Sequence, residues 1–444
     1  MTRWLPPVAV LLVAAVPALA AQDTTLVDRG VRVGITYTPG VRPGLLVLGG
    51  PPRETLDSIR AILARDLDHG DRFEVITLPG GDTLAVGIEA GGGTSAGGSG
   101  AFVNYPLYAA LGADFTVHVR EPTDTGLDVV LYDVRGREAR RTLTLPLGNL
   151  ADPGFRLAIH RVSDEIVRSA AGTPGIAATR LLFLQGDRIY RVDADGWGLE
   201  PVTPAARKAF SPAWAPDGRR FAWMEFLEVG ARIVIQDSAG APARAVEPTA
   251  SRTNFTPAFS PDGRLLVFAR ATGEGTDLWA YNVRDDCCLQ RLTVGRFSDN
   301  LSPTFSPDGR RVAFVSTRAG LPQIYVMAAD GTGQELFAPF DYGVTGSSNA
   351  PEWSPDGLHV AFHRDVAGSP QIFVMDAATR TVRQLTSFGR NEDPTWAPDG
   401  RHLAFVSNRT GTRQIWVIDL DTGRIRQVTR VGDARLPAWS LRID

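Results

Sequence analysis

Very little in this 444-residue chain is available for cross-linking or metal chemistry, since it holds two cysteines and six histidines. The cysteines are adjacent, Cys287 and Cys288. Neighbouring Cα atoms stand about 3.8 Å apart, below the roughly 4.4 to 6.8 Å usual for a disulfide, so a bond between them is expected to be strained. The pair reads either as a redox site or as a turn substitution where a later repeat has Asp330-Gly331, and disulfides are not expected to hold the fold. The histidines, at 69, 118, 160, 359, 363 and 402, show no metal-ligand pair on a helix. A charge imbalance is missing too: 46 basic against 49 acidic residues, net -3, argues against a general nucleic-acid binder. With 43% hydrophobic and 21% charged residues the composition is globular. After the first twenty residues no apolar run is long enough to cross a bilayer as a helix. No Gly-Lys-Ser/Thr phosphate loop occurs, and no cofactor is expected.

The exception at the start has a clear form. Arg3, the apolar stretch Val8 to Val16 and the small-residue site Ala18-Leu19-Ala20 read as a secretory signal, residues 1–20, removed before Ala21. Pro17 interrupts the stretch, and no cysteine follows the cleavage site, so a soluble exported product without a lipid anchor is expected.

What the chain has in quantity is glycine (46) and proline (31), the residues of tight turns. They recur in register. The segment Pro-x-Trp/Phe-Ser/Ala-Pro-Asp-Gly begins at Pro212, Pro257, Pro303, Pro351 and Pro394. Each copy is followed by an apolar run such as Val312 to Val315 as second strand, then a third strand such as Gln323 to Met327, then a further turn and a short strand. Pro presets φ, Asp bonds its own backbone and Gly accepts positive φ, so Pro-Asp-Gly marks a hairpin. The apolar run does not alternate, which requires cover on both faces. Four-stranded sheets stacked around an axis supply that cover. Residues 181 to 203 match strands two to four of a sixth unit, whose first strand reappears as Pro437-Ala-Trp-Ser440. The expected fold is therefore an all-β six-bladed β-propeller over 176–444, closed by its C-terminal strand, which removes a free sheet edge.

Residues 21–172 lack the period and read as an α/β domain, a mixed sheet with two helices. Leu56, Ile59, Leu63 and Leu67 stripe a helix ended by Gly70. Asp152-Pro153 opens a second helix as N-cap and first-turn residue, running to about Ala170. Gly172 to Gly175 makes a short hinge. Gly91 to Gly100 is a flexible loop, in which Gly93-Thr-Ser95-Ala-Gly97 has the form of a hydrolase elbow but no strand leading into it, so no catalysis is expected. Asp193-Ala-Asp195-Gly196 has the outline of a calcium loop without the third acidic ligand or closing Glu, and is read as a hairpin turn. His359 and His402 fill the slot of Arg220, Leu265 and Arg311 in other repeats, which marks a variable surface position.

A binding surface remains. Turns after strands one and three fall on one face of the ring and are tight. Those after two and four fall on the other, are longer, and rim the channel, where function sits on a rigid scaffold. Asn254, Asn300 and Asn391 stand three residues before the repeat proline, with Arg252, Asp299, Asn349, Glu392, Asp393 and Arg435 nearby. They read as partner contacts, as turn caps, or as both.

Taken together, the signal, the α/β domain whose last helix contains Ser163-Asp-Glu-Ile-Val167, the hinge, the Pro-Asp-Gly propeller and the final Pro-Ala-Trp-Ser resemble the TolB family of the Tol-Pal cell-envelope system. The segments that carry the likeness are Val31-Arg-Val33, Arg53 to Phe73, Ala110 to Asp114, Asp164 to Ile166, Thr179 to Leu181 and Ser211 to Gly218. The resemblance implies a non-enzymatic periplasmic scaffold that binds the peptidoglycan-associated lipoprotein Pal through the propeller mouth. It also implies that the segment from about Gln22 to Thr36 docks the inner-membrane protein TolA, with Val31, Val33 and Ile35 able to add a strand to a partner's sheet. The glycine loop, the cysteine pair and the ending after Trp439-Ser440 depart from the family pattern. Two rival classes are a peptidase-type propeller, which needs a hydrolase domain where only four residues follow Ser440, and a small-ligand or carbohydrate-binding propeller, which predicts aromatic side chains at the mouth, whereas the rim loops read as mainly Asn, Ser, Asp and Arg.

Overall fold

Leu56, Ile59, Leu63 and Leu67 fall on one stripe because they recur at helical spacing, and they form the buried face of α1 (Glu54–His69). The computed structural model describes residues 42–48, 53–76, 103–120, 122–246, 253–340 and 346–443. The signal segment 1–20, Val31, Val33 and Ile35, the glycine loop with Ser95, and Arg252 lie outside the described residues. The N-terminal sheet comprises β1 (Gly44–Leu48), β2 (Glu74–Ile76), β3 (Phe115–Val119), β4 (Leu127–Asp133) and β5 (Glu138–Leu145), ordered β2-β1-β3-β4-β5. Its first three strands are parallel and the rest antiparallel, so the sheet is mixed. One face packs on α1 and on α2 (Pro153–Ala171, the long second helix in the core), through Leu63, Val117, Val129, Ile159 and Ile166. The other face of β1, Leu46 and Leu48, is covered by Tyr108 from a short additional helix at Tyr105–Ala110, too brief to show a periodic stripe. At the start of α2 the Asp152 side chain accepts from the Gly154 amide at 2.8 Å, and Gly172 ends the helix at φ 77°.

Six four-stranded antiparallel sheets follow. Blade one takes its inner strand from the end of the chain: Ala434–Trp439 pairs with Arg180–Gln185, then Arg188–Asp193 and Glu200–Pro201. Trp439 Nε1 donates to Thr179 Oγ1 at 2.8 Å, pinning the ends together. The inner strands of blades two to six are Ala209–Trp214, Asn254–Phe259, Asn300–Phe305, Ser348–Trp353 and Asn391–Trp396. The second strands are the apolar runs, and Val312, Ala313 and Phe314 are fully buried between neighbouring sheets. The hairpin chemistry is as the sequence predicts: Gly309 has φ 69° and Asp308 accepts from the Arg310 amide at 3.1 Å. A feature without a sequence signal accompanies it. Each inner strand carries a bulge before its proline, with a non-glycine residue at positive φ: Ser211, Thr256, Ser302, Ala350, Asp393 and Leu436.

Cys287 and Cys288 open the outer strand of blade three, just after the turn at 283–286 and not within it as the repeat alignment predicts, and their sulfurs are bonded. Their Cα atoms are 3.8 Å apart, the spacing expected of neighbours, and Cys288 adopts φ 65°.

The N-terminal domain lies on the tight-turn face of blades six and one. Arg424, in the last turn of blade six, donates to Asp68 at 2.5 and 2.9 Å and to Asp71 at 3.1 Å. Asp195, in the hairpin turn of blade one, receives Arg65 at 2.6 Å and also Arg156. The glycine hinge is tied down as well, since the buried Asp164 carboxylate accepts from the amides of Ala177 and Ala178 at 2.7 and 3.0 Å. Burial pushes that carboxyl up to about 6 against those two bonds.

One histidine expectation fails here. His402 is fully buried, its Nδ1 2.7 Å from Asp399 and its Nε2 3.4 Å from Asp71. At the same slot Arg311 is exposed and Arg220, Leu265 and His359 are half-buried, but in blade six Asp71 of the N-terminal domain lies against it.

Candidate functional site

The face opposite that seam is the mouth, bounded by the longer loops after strands two and four. Its inner lining begins with the first residue of each inner strand. Asn254, Asn300 and Asn391 occupy that position in blades three, four and six, and all three are buried. They face inward, not outward, because each accepts a hydrogen bond from an arginine of the same blade. Arg270 Nε reaches Asn254 Oδ1 at 2.9 Å, Arg318 reaches Asn300 at 3.0 Å and Arg409 reaches Asn391 at 3.1 Å. In blade five Ser348 replaces the asparagine and receives Arg364 at 3.0 Å. The asparagine amides also cap local backbone: Asn391 donates to Phe388 O at 3.1 Å and Asn300 to Thr276 O at 3.0 Å.

Each of these arginines lies over the aromatic rings of strands two and three. Arg270 covers Phe268 and Trp279, Arg318 covers Phe314 and Tyr325, Arg364 covers Phe362 and Phe373, and Arg409 covers Phe405 and Trp416, at 4.7 to 5.6 Å. Guanidinium over a ring face is favourable because of the ring quadrupole. Burial lowers the pKa of Arg270, Arg318 and Arg409, so these cations are held in a partly desolvated ring. Sequence reasoning missed this ring, although Phe268-Ala-Arg270 and Phe362-His-Arg364, with Phe314 and Phe405 each four residues before an arginine, carried it. Blades two and one depart from the pattern. Glu225 holds the equivalent place in blade two, paired with Arg207 at 3.2 Å and Arg232 at 2.6 Å, and Gln185 holds it in blade one.

The second position of each inner strand is half-buried and changes character around the ring. It is Phe210, Phe255 and Leu301 in blades two to four, then Asn349, Glu392 and Arg435 in blades five, six and one. The mouth is therefore apolar on one half and polar on the other, which corrects, for blades two to four, the reading of a rim made mainly of Asn, Ser, Asp and Arg. Exposed Phe297 extends the apolar side, at 87%, next to exposed Asp299. Exposed Phe388 stands beside Arg390 on the polar side. Arg390 bonds Glu392 at 3.1 Å, and Arg435 bonds Asp433 at 2.8 Å. Asp393 donates its backbone N–H to His363 Nδ1 at 3.1 Å. Burial raises the Asp393 carboxyl and lowers the His363 imidazole. A groove of about 420 Å³ runs between blades five and six, lined by Val366, Gln371, Arg390 and Asn408.

The other end of the channel holds a cavity of about 480 Å³, walled by the repeat prolines and by aromatic residues such as Trp214, Trp353 and Trp396. Glu352 is its carboxylate; it accepts from Thr395 Oγ1 and the Trp396 amide at 3.0 Å each, and burial pushes it up to about 7.

Comparison with known proteins agrees with this architecture. The PD40 family description, TolB beta propeller domain, matches residues 169–339 and 342–444. A Tol-Pal system protein TolB from Methylococcus capsulatus is 30% identical over 260 residues, 55% of either chain. One from Pasteurella multocida is 28% identical over 262 residues, 55% of this chain and 56% of its own. The chain thus matches about half the length of these curated relatives. The crystal structure of TolB from Acinetobacter baumannii superposes with a TM-score of 0.74 at 21% identity, covering 91% of this chain and 98% of that one, a likeness of fold.

Proposed function

Because the chain belongs to the TolB β-propeller family, we propose that it is a non-enzymatic, exported scaffold of the Tol-Pal envelope system. In this reading a 21–172 domain and a 176–444 propeller act together after loss of a 1–20 signal. The propeller mouth receives the lipoprotein Pal, and the segment from about Gln22 to Thr36 engages TolA. The assembly supports outer-membrane integrity and constriction at division, and the protein meets the envelope through its partners. The observation that supports this most is the division of the two faces. The N-terminal domain occupies the tight-turn face through Arg424 and Asp195, while the mouth keeps a half-buried ring of mixed chemistry at Phe210, Phe255, Leu301, Asn349, Glu392 and Arg435. Protein interfaces are enriched in aromatic and arginine residues relative to the rest of the surface.

The test is a titration of the mature protein with a Pal domain. Asn349→Arg combined with Glu392→Arg is expected to weaken binding by roughly tenfold or more, about 1.4 kcal/mol, with the melting curve unchanged. Arg310→Glu, on the tight-turn face, is expected to bind as the native protein does. Equal affinities for all three proteins would overturn the reading. The cavity at Glu352 favours a second reading, a propeller that holds a small ligand. Calorimetry against envelope sugars and amines, with binding lost in Glu352→Gln, would establish it.

A further inference from the structure

The contact between the two domains contains two buried histidines, each with a carboxylate near either ring nitrogen. His160, on α2, has Nδ1 2.7 Å from Asp66 of its own domain and Nε2 4.0 Å from Asp195 of the propeller. His402, in the propeller, has Nδ1 2.7 Å from Asp399 of its own blade and Nε2 3.4 Å from Asp71 of the N-terminal domain. Each imidazole thus lies between one carboxylate of its own domain and one from across the seam. From these paired contacts we infer that the seam is a proton-dependent latch, closed when both rings are cationic and loosened when they are neutral.

The chemistry follows from the donor count. A cationic imidazole donates from both nitrogens, whereas a neutral ring has one donor, leaving the second carboxylate facing a lone pair. The second contact is a hydrogen bond at His402 and, at His160, whose buried Nε2 has no hydrogen-bond partner, an attraction across 4.0 Å. The groups facing His160 are Asp66, Asp195 and Asp193, with Arg65 and Arg156 on Asp195 and Ser163 Oγ donating to Asp66 at 2.7 Å. Those facing His402 are Asp399, Asp71 and Asp419, with Arg401 on Asp419 and Arg42 and Arg424 on Asp71. Arg72 stands near Arg401, Asp399 and Asp419. Between the two sites, burial and the nearby Arg426 drive His69 down to about 3, so it stays neutral and does not compete. Asp66, His160 and Asp195 have ligand atoms within 4.8 Å of one another, as a metal site would. The two guanidiniums on Asp195 already supply the positive charge that a metal would bring.

Burial by itself would lower both rings. Asp66 with Asp195 outweighs it at His160, and Asp399 with Asp71 at His402, so both end above the ordinary imidazole value. A raised native pKa gives stabilisation that is complete below the unfolded value, about 6.5, and lost as pH rises through the native one. The latch is therefore closed below the ordinary imidazole value and loosens as pH rises through the raised native one. It stands independently of the partner proposed for the mouth.

The experiment is a histidine proton NMR titration of the full chain, assigned with His160→Gln and His402→Gln, alongside melting curves and small-angle scattering at pH 6 and pH 9. Both rings are expected to titrate above about 6.5. The native protein is expected to lose melting temperature and broaden in scattering on going from pH 6 to pH 9, while the double variant gives the same scattering at both. If the double variant does not fold, the single variants are expected to halve the pH effect. Rings that titrate at or below the free value, or native scattering and melting no more pH-sensitive than the variant's, would overturn the latch.

Discussion

The tight-turn face and the mouth of this propeller are made by the same repeat, and they end in different chemistry. On the tight-turn face of blades six and one, Arg424, His402 and Asp195 are sealed against the N-terminal domain by short ionic contacts. At the mouth, Arg270, Arg318, Arg364 and Arg409 are held by asparagine or serine and by aromatic rings of their own blades, with no second domain over them among the described residues. Arginine thus serves as cross-domain fastener on one face and as scaffold on the other. The difference teaches that the repeat supplies positions, while the neighbour across each face decides what a position does.

The largest effect expected is from a change that both faces depend on. Deleting residues 433–444 removes the inner strand of blade one and uncovers Leu181, Phe183 and Leu184, now almost fully buried. At roughly 1.5 to 3 kcal/mol per large side chain this costs several kcal/mol. Calorimetric melting should show a large fall, and an unchanged midpoint would contradict closure by that strand.

Next comes the seam alone. Asp71→Ala leaves Arg424 and His402 without their shared carboxylate, and Arg401 still on the Asp71 carbonyl at 2.9 Å. Removing one partner from a buried ion pair costs about 3 to 5 kcal/mol, and less is expected here because Arg424 is over a third exposed and keeps Asp68. Denaturant titration at pH 6 should show it, and a loss that does not shrink toward pH 9 would separate the seam from its histidines.

Smaller still is a break in the mouth scaffold. Asn300→Ala removes the acceptor of Arg318 and the donor to Thr276 O, a loss of about 1 to 3 kcal/mol. The same denaturant titration checks it, with the prediction that seam exchange rates stay native. Arg310→Glu, on an exposed tight turn away from the seam, should change stability by no more than about 0.5 kcal/mol. A large loss there would mean that the tight turns carry more than hairpin geometry.

These contrasts also explain what could be read in advance. Pro-Asp-Gly fixes a hairpin by local backbone chemistry, so the blades and the first strand of the sixth unit were legible from one sequence. The buried stripe of Leu56, Ile59 and Leu63 was legible for the same reason, being a matter of period. His402 was misread because aligning blades compares a position with its repeats and not with the domain folded onto one of them. Asn254, Asn300 and Asn391 were seen, but their direction depends on arginines at the far end of the next strand, which a reading of apolar runs passes over. The alternation of apolar and polar halves around the mouth needs the ring closed before it can be seen.

The division of the two faces is tested most directly by hydrogen exchange on the native chain with and without a saturating Pal domain. Protection is predicted in the mouth loops at 294–299 and 387–393 and in the strand starts at Phe210 and Phe255, with the turns at Gly309 and Gly357 unchanged. Protection centred on those tight turns, with the mouth loops exchanging as before, would contradict the account.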